Sequence, residues 1–429
     1  MRSMAIQRDR GRGTQRPGAV SDDTLKGIRR HRPDYWLLLL MVALLAIGIV
    51  VVYSISPAMA EDKGTSGGGI VTRQLIATGI GLVAFLAASQ IPFTRWQKAA
   101  KPLLIIAAIA TVITLVTPVN ADYPAHRWIR LGGISFQSVE LVKFAVLCWA
   151  ASLLAYRMGR SEVNDWKLTL RPLAVVVVAI GIVVAGLQSD LGSTVVIAAM
   201  MAVMTFAAGL RWKYVGLVLA AGVLAFGLFV ATGNEGYRVQ RLTTFLNPEQ
   251  DCAAAGYQSC QALIAVGSGG MAGLGLGNSV QAYGYLPEAE NDSIFAIYAE
   301  KFGFLGVALL LGMLVALYTR LKKISDRAPD TFSKLFVLGV LVWLTVQAVM
   351  NIGAMLGLLP LKGITLPLIS YGGSSVMVIM AVLGVVFQIS RYTNMNRQSN
   401  IESRGSSYED SSDGRRVRGT RHTTYSGRR

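Results

Sequence analysis

Ten stretches of the chain are apolar for about the length of a membrane-crossing helix: 35–56, 74–92, 102–118, 138–156, 172–187, 191–210, 214–232, 291–317, 335–356 and 369–390. Crossing about 30 Å of hydrocarbon takes roughly 20 mostly apolar residues as a helix. The runs do not alternate apolar with polar residues, so they fit helices rather than barrel strands, the two structures that satisfy their own backbone in lipid. The pattern predicts an all-α, polytopic integral membrane protein with about ten transmembrane helices. The first run is followed by Ala58-Met59-Ala60, which resembles a cleavage site. It follows a long basic leader, however, and exceeds the apolar core of a signal peptide, so it reads as a retained anchor. One long external loop is expected, from about 233 to 290, and loops of that size are usually functional.

Composition narrows this further. Hydrophobic residues make up 53% of the chain and charged ones 15%, with a mean hydropathy of +0.48. That excludes an ordinary soluble domain or a disordered chain, and 3 Cys in 429 residues exclude a disulfide scaffold. The net charge of +17 divides into +5 for residues 1–34, +5 for 391–429 and +7 for the body between. Residues 1–34 and 392–429 read as disordered basic tails flanking a 35–391 transmembrane domain. With the N-terminus inside, cytoplasmic segments hold 32 Lys and Arg and external loops 7. This places both termini in the cytoplasm. The positive charge is then a topology signal resting on anionic lipid, and no nucleic-acid partner is expected.

Polar chemistry concentrates in the external half. Glu140 and Lys143 stand three apart on one face of the fourth run, either as a functional pair or as an ion pair bracing the bundle. Pro287-Glu288-Ala289-Glu290-Asn291-Asp292 precedes the eighth run. If Pro287 opens that helix, Glu288 and Asp292 share a face with Glu290 turned away. These acids read as a general base or as helix N-terminal acids complementing the dipole. The few external cations, Arg127, Arg130, Arg238, Arg241 and Lys362, suit a phosphate or pyrophosphate ligand or interfacial snorkelling. Two glycine-rich segments, Gly267–Gly277 and Tyr371-Gly-Gly-Ser-Ser375, promise tight turns and close backbone approach. Neither has a nucleotide-binding pattern, and the scattered histidines give no His/Cys metal site. Cys252 and Cys260 are either a small-loop disulfide or two thiols, and Cys148 reads as packing.

Taken in order, the motifs resemble the SEDS family of cell-wall proteins (FtsW, RodA, SpoVE). They are His126-Arg-Trp-Ile-Arg-Leu-Gly-Gly133, Gln137-Ser-Val-Glu-Leu-Val-Lys143, Gln188-Ser-Asp-Leu-Gly192, Tyr237–Pro248, Gly267–Gln281, Tyr285–Asp292 and Gly357–Ser375. The resemblance spans roughly 35–391 and implies polymerisation of lipid II, a disaccharide-peptide on undecaprenyl pyrophosphate, at the outer membrane face. It implies that Asp292 is the essential acid. Arg238, Arg241, Lys362, Glu140 and Lys143 are substrate-binding candidates by the same resemblance, and Arg127, Glu288, Ser374 and Ser375 join them as candidates. The implied partners are a class B penicillin-binding protein, a transpeptidase, and other division-machinery membrane proteins. Pro367-Leu-Ile-Ser370 and the charged tails lean towards the division-type, FtsW-like branch over the elongation-type, RodA-like one. A divalent cation, Mg or Mn, bridging Asp292, Glu288 and pyrophosphate is left open. The chain departs from the family pattern at Ser138 and Ser189, where proline is usual, and at Glu290-Asn291, where His-Thr is common. At Glu300-Lys301 an acid pair becomes a local ion pair in this reading. A lipid-linked precursor transporter and a non-enzymatic division scaffold are the alternative readings.

Overall fold

The computed structural model describes residues 28–62, 67–117, 127–131, 134–214, 216, 252–254 and 256–394. In chain order the elements are β1 (Ile28–Arg30), α1 (Tyr35–Asp62), α2 (Gly67–Gln90), α3 (Phe93–Val116), β2 (Trp128–Leu131), β3 (Ile134–Gln137) and α4 (Ser138–Met158). There follow α5 (Trp166–Leu187), α6 (Leu191–Ala207), α7 (Tyr257–Ser268), α8 (Ile294–Asp326), α9 (Thr331–Met355), α10 (Gly373–Ile389) and β4 (Tyr392–Asn394). Among the described residues seven helices are long and apolar enough to cross a membrane, and α6 and α10 are shorter apolar helices. Nine of the ten expected runs are thus helices, and 214–232 lies almost wholly outside the described residues.

The bundle is organised around α4. Of that span 72% is buried, against 22% of α3 and α5. α4 packs against α3, α9 and α6, while α10 lies along α2 and α8 along α9. The outer helices keep leucine, isoleucine and valine exposed, as a lipid-facing surface requires.

Two small antiparallel sheets interrupt the all-helical expectation. β2 and β3 form a hairpin, Trp128↔Gln137 to Leu131↔Ile134, that leads directly into α4. β1 pairs with β4, Ile28↔Asn394 to Arg30↔Tyr392, so the body-proximal ends of both tails are ordered against each other. The remainder of each tail, 1–27 and 395–429, lies outside the described residues. Both ends of the bundle therefore meet on one side, as an even number of crossings demands. Arg320, near the end of α8, pairs with Asp34 before α1 at 3.8 Å. The start of α8 consequently faces the opposite side, which the Lys/Arg count places outside.

The helix α8 is broken at Gly303, whose backbone has φ +61. The Gly269–Gly275 segment crosses this break. Leu274 and Gly275 donate N–H groups to the carbonyls of Glu300 and Lys301, and Phe304 and Leu305 donate to Gly270 and Met271. The crossing segment thus takes four backbone groups at the break, as irregular backbone buried in a membrane protein requires. A Cβ on Gly303 would sit 2.3 Å from the Gly273 nitrogen, and one on Gly273 2.2 Å from the Lys301 carbonyl oxygen. The glycine-rich motif is thus a backbone-on-backbone crossing. Cys252 and Cys260 are joined as a disulfide that fixes the approach to α7, and Cys148 is buried in α4.

Candidate active site

The acid-bearing segment does not begin a helix at Pro287. Glu288 has φ +51, a left-handed backbone that no right-handed helix accommodates. Helix α8 begins at Ile294 with Ser293 as its N-cap. Asn291 and Ser293 donate N–H groups back to the Glu288 carbonyl at 3.0 and 3.1 Å, folding 288–293 into a turn. Ser293 Oγ donates to the Pro287 carbonyl at 2.9 Å, and Gln258 of α7 donates to Ser293 Oγ at 3.1 Å. Glu288 and Asp292 therefore share a turn rather than a helix face. Glu290 is buried within it.

Three successive carbonyls of this turn are held from the 364–371 loop and α9. Tyr371 N–H donates to Glu290 O at 2.8 Å, Ser370 Oγ to Asn291 O at 2.7 Å and Asn351 Nδ2 to Asp292 O at 2.7 Å. The backbone of Asp292 is fixed while its carboxylate stays half-buried. That carboxylate faces Gly363, where an added Cβ would lie 3.4 Å from Oδ2. That distance is ordinary van der Waals contact, but Gly363 has φ +63, and it is this backbone that calls for glycine. Burial pushes the Asp292 carboxyl up to about 7, and the nearby charges of Glu288 and then Glu290 add to the rise. Its own backbone N–H and the Arg127 guanidinium pull the other way.

Arg127 is anchored as well as charged. Its Nε donates to Gln188 O at 2.8 Å and its terminal nitrogen to Ser189 O at 2.6 Å. Gln188 in turn donates to Thr114 and Ser138, while Asp190 caps α6 by accepting from Ser193 N at 3.0 Å. Ser189 sits at φ +53, a backbone that proline cannot adopt. This explains locally how the chain turns without the proline usual at that position.

Glu140 and Lys143 form a buried pair, Oε1 to Nζ 2.7 Å. Lys143 also donates to Gln347 Oε1 at 3.2 Å and lies 5.0 Å from the ring centre of Trp343. Gln347 continues to Thr365, and Thr365 Oγ1 donates to Ser375 Oγ at 3.4 Å. Ser374 is buried next to it at the start of α10. Through Gln347 and Thr365 the α4 pair thus reaches the loop whose Gly363 lies next to Asp292. Arg238 and Arg241 lie outside the described residues, as does the side chain of Arg130.

One expected contact is corrected. Glu300 and Lys301 make no ion pair with each other, because adjacent helical side chains point in different directions. Glu300 accepts from Ser279 Oγ and from the Val280 and Gln281 N–H groups, and Lys301 donates to the Leu276 carbonyl at 2.8 Å. Both hold the chain just after the crossing segment. Conversely, Gln347, Asn351 and Ser370 were not among the expected site residues. Two amides four apart inside the apolar run 335–356 are the signal that points to the first two.

Among the described residues no three His, Cys, Asp or Glu side chains converge as a metal site. Glu288 Oε2 accepts from Asn291 Nδ2 at 2.6 Å and is directed into its own turn. The described residues do not by themselves build a cation cage.

The chain is similar to known proteins across its membrane body. The cell cycle protein family model covering FtsW, RodA and SpoVE matches residues 35–395. The chain is 36% identical to a probable peptidoglycan glycosyltransferase FtsW of Trichlorobacter lovleyi, over 85% of this chain and 95% of that one. It is 34% identical to the stage V sporulation protein E of Bacillus subtilis, over 85% and 99%. Among solved structures, a chain from a peptidoglycan synthase complex that coordinates polymerization and crosslinking superposes with TM-score 0.69 at 28% identity, over 84% of this chain and 98% of that one. The rod shape determining protein RodA of Thermus thermophilus superposes with TM-score 0.62 at 27% identity, over 84% and 97%. A match across the whole membrane body, in sequence and in fold, means that the chain belongs to the FtsW/RodA/SpoVE family, the SEDS proteins.

Proposed function

We propose that this integral membrane protein is a peptidoglycan glycosyltransferase whose general base is Asp292. One observation carries the assignment of the base. Asp292 is held through its backbone, faces Gly363 beside Lys362, and has its carboxyl raised to about 7. A base poised near neutrality is best matched to proton transfer at that pH.

In the reaction, the Asp292 carboxylate takes the proton of the acceptor's GlcNAc 4-hydroxyl. That oxygen attacks the anomeric carbon of the donor MurNAc from the face opposite the leaving group. The carbon–oxygen bond to undecaprenyl pyrophosphate breaks, its electron pair leaves with the pyrophosphate, and the new linkage is β-1,4. Negative charge grows on the leaving pyrophosphate, so preorganised cations there lower the barrier. Arg127, whose charge acts on the base, and Lys362, adjacent in sequence to Gly363, are candidates for these cations, with Arg238 and Arg241. Glu140 with Lys143, and Ser374 with Ser375, would line the path of the lipid-linked donor.

Purified protein supplied with lipid II tests this directly, alone and with a class B penicillin-binding protein. Wild type is expected to build glycan chains and Asp292→Asn to build none; equal polymer from both sinks the base assignment. The transpeptidase partner is proposed on the likeness to a chain of a synthase complex that couples polymerization to crosslinking. A role in septal synthesis follows the FtsW-like features, and a fluorescent fusion that labels the side wall evenly would reassign it to elongation.

A further inference from the structure

We propose that Gln347 and Asn351 of α9 are positioning residues for the transfer, a two-amide clasp that sets the Lys362 loop and the Asp292 backbone at one fixed separation. The inference rests on Asp292 being the base. The two side chains stand four apart, on one helix face, and are 1% and 2% exposed. A buried amide is costly unless its groups are hydrogen-bonded, and nearly all of theirs are.

Gln347 uses both ends of its amide. Its Oε1 accepts from Lys143 Nζ at 3.2 Å and Trp343 Nε1 at 2.8 Å, and its Nε2 donates to Thr365 O at 3.0 Å and Thr365 Oγ1 at 3.2 Å. Lysine and tryptophan can only donate, which settles which end is oxygen. Asn351 Nδ2 donates twice, to Ile364 O and to Asp292 O, each at 2.7 Å. Its Oδ1 is buried with no hydrogen-bond partner among the described residues. A residue kept for bundle stability alone would not carry that cost; here the two N–H groups join two different segments.

The clasp therefore takes consecutive carbonyls, Ile364 and Thr365, of the loop that carries Lys362. With the same two side chains it takes the Asp292 carbonyl on one side and the Lys143–Glu140 pair on the other. The base and the cation-bearing loop are referenced to one rigid helix face rather than to each other through flexible chain. Base and leaving-group cations must act at the same moment, and misplacement by about 1 Å can cost about a hundredfold in rate.

The test uses the full chain with its transpeptidase partner and lipid II, and reads kcat, KM and the pH profile. Asn351→Leu keeps volume, removes both donors and adds no charge. It is expected to lower kcat about a hundredfold, with KM changed less than about threefold and the acid limb moved to lower pH as Asp292 loses burial. Gln347→Met keeps the length of the side chain and adds no charge, leaves Lys143 its Glu140 partner but cannot donate to Thr365, and is expected to lower kcat by about tenfold. It carries the test if Asn351→Leu fails to accumulate. Wild-type kcat with the acid limb in place, or a loss that only follows the folded fraction, overturns the clasp. Asp292→Asn in the same assay separates the two ideas. If it is active, the base assignment falls and the clasp with it; if it is inactive while the clasp variants turn over normally, only the clasp falls.

Discussion

Two acids stand eight residues apart at the outer end of α8, and their surroundings differ completely. Glu300 is fully buried and its carboxylate accepts from one hydroxyl and two backbone N–H groups of the 279–281 segment. Asp292 is only half-buried, its carboxylate is flanked by Glu288 and Glu290, and it is opposed by a glycine. In Asp292 the backbone, not the side chain, is what the fold holds. A carboxylate whose bonding capacity is filled is part of the architecture; one kept short of donors beside like charges is available for proton transfer.

The largest effect that can break this contrast is on chemistry. Asp292→Asn is expected to abolish lipid II polymerisation, by about a thousandfold or more, with the thermal transition little changed. Polymer formation near the wild-type rate would place Asp292 with Glu300 as architecture. Next in size is the crossing that Glu300 supports. Gly303→Ala forces a Cβ against backbone at φ +61 and should destabilise by about 3 kcal/mol or more, read as loss of monodisperse protein in detergent on heating. Glu300→Ala leaves buried N–H groups of Val280 and Gln281 without acceptors and is expected to cost about 3 kcal/mol. Specific activity per folded molecule should fall less than in Asp292→Asn; the reverse ranking would make Glu300 the working acid.

The smallest effect concerns pH. A base must be deprotonated, so kcat/KM should rise as pH increases through about 7 and level off above it. Glu288 raises the Asp292 carboxyl, so Glu288→Gln should move that limb to lower pH without changing the plateau greatly. A limb that stays in place would remove Glu288 from the electrostatics of the site.

Much of this arrangement is legible along the chain. Nine apolar runs become the nine apolar helices of the described bundle because burial in lipid or bundle needs only composition and length. Asp292, Lys362, Arg127 and the Glu140–Lys143 pair stand out because charge is scarce in such a chain. The start of α8 was less legible. Proline followed by acids predicts a helix opening at Pro287, but the turn is closed by Glu288 at φ +51 and by donors more than 50 residues away. Asn351 and Gln347 are visible only as two amides in an apolar run, and nothing local says which carbonyls they take. Nor did spacing choose between a disulfide and two thiols at Cys252 and Cys260, which the fold brings together.

The sequence by itself determined the membrane class, the side on which charge collects and the residue types available for chemistry, since these follow from hydropathy and the scarcity of ionisable groups in lipid. Tertiary structure alone decided that Glu300 accepts from three donors of the 279–281 segment while Asp292 stands beside two like charges, that the glycines of 269–275 close a broken helix, and that α9 fastens two distant loops together. The reason is that hydrogen-bond satisfaction depends on which backbone groups arrive beside a side chain, and those arrive from segments the local pattern does not name.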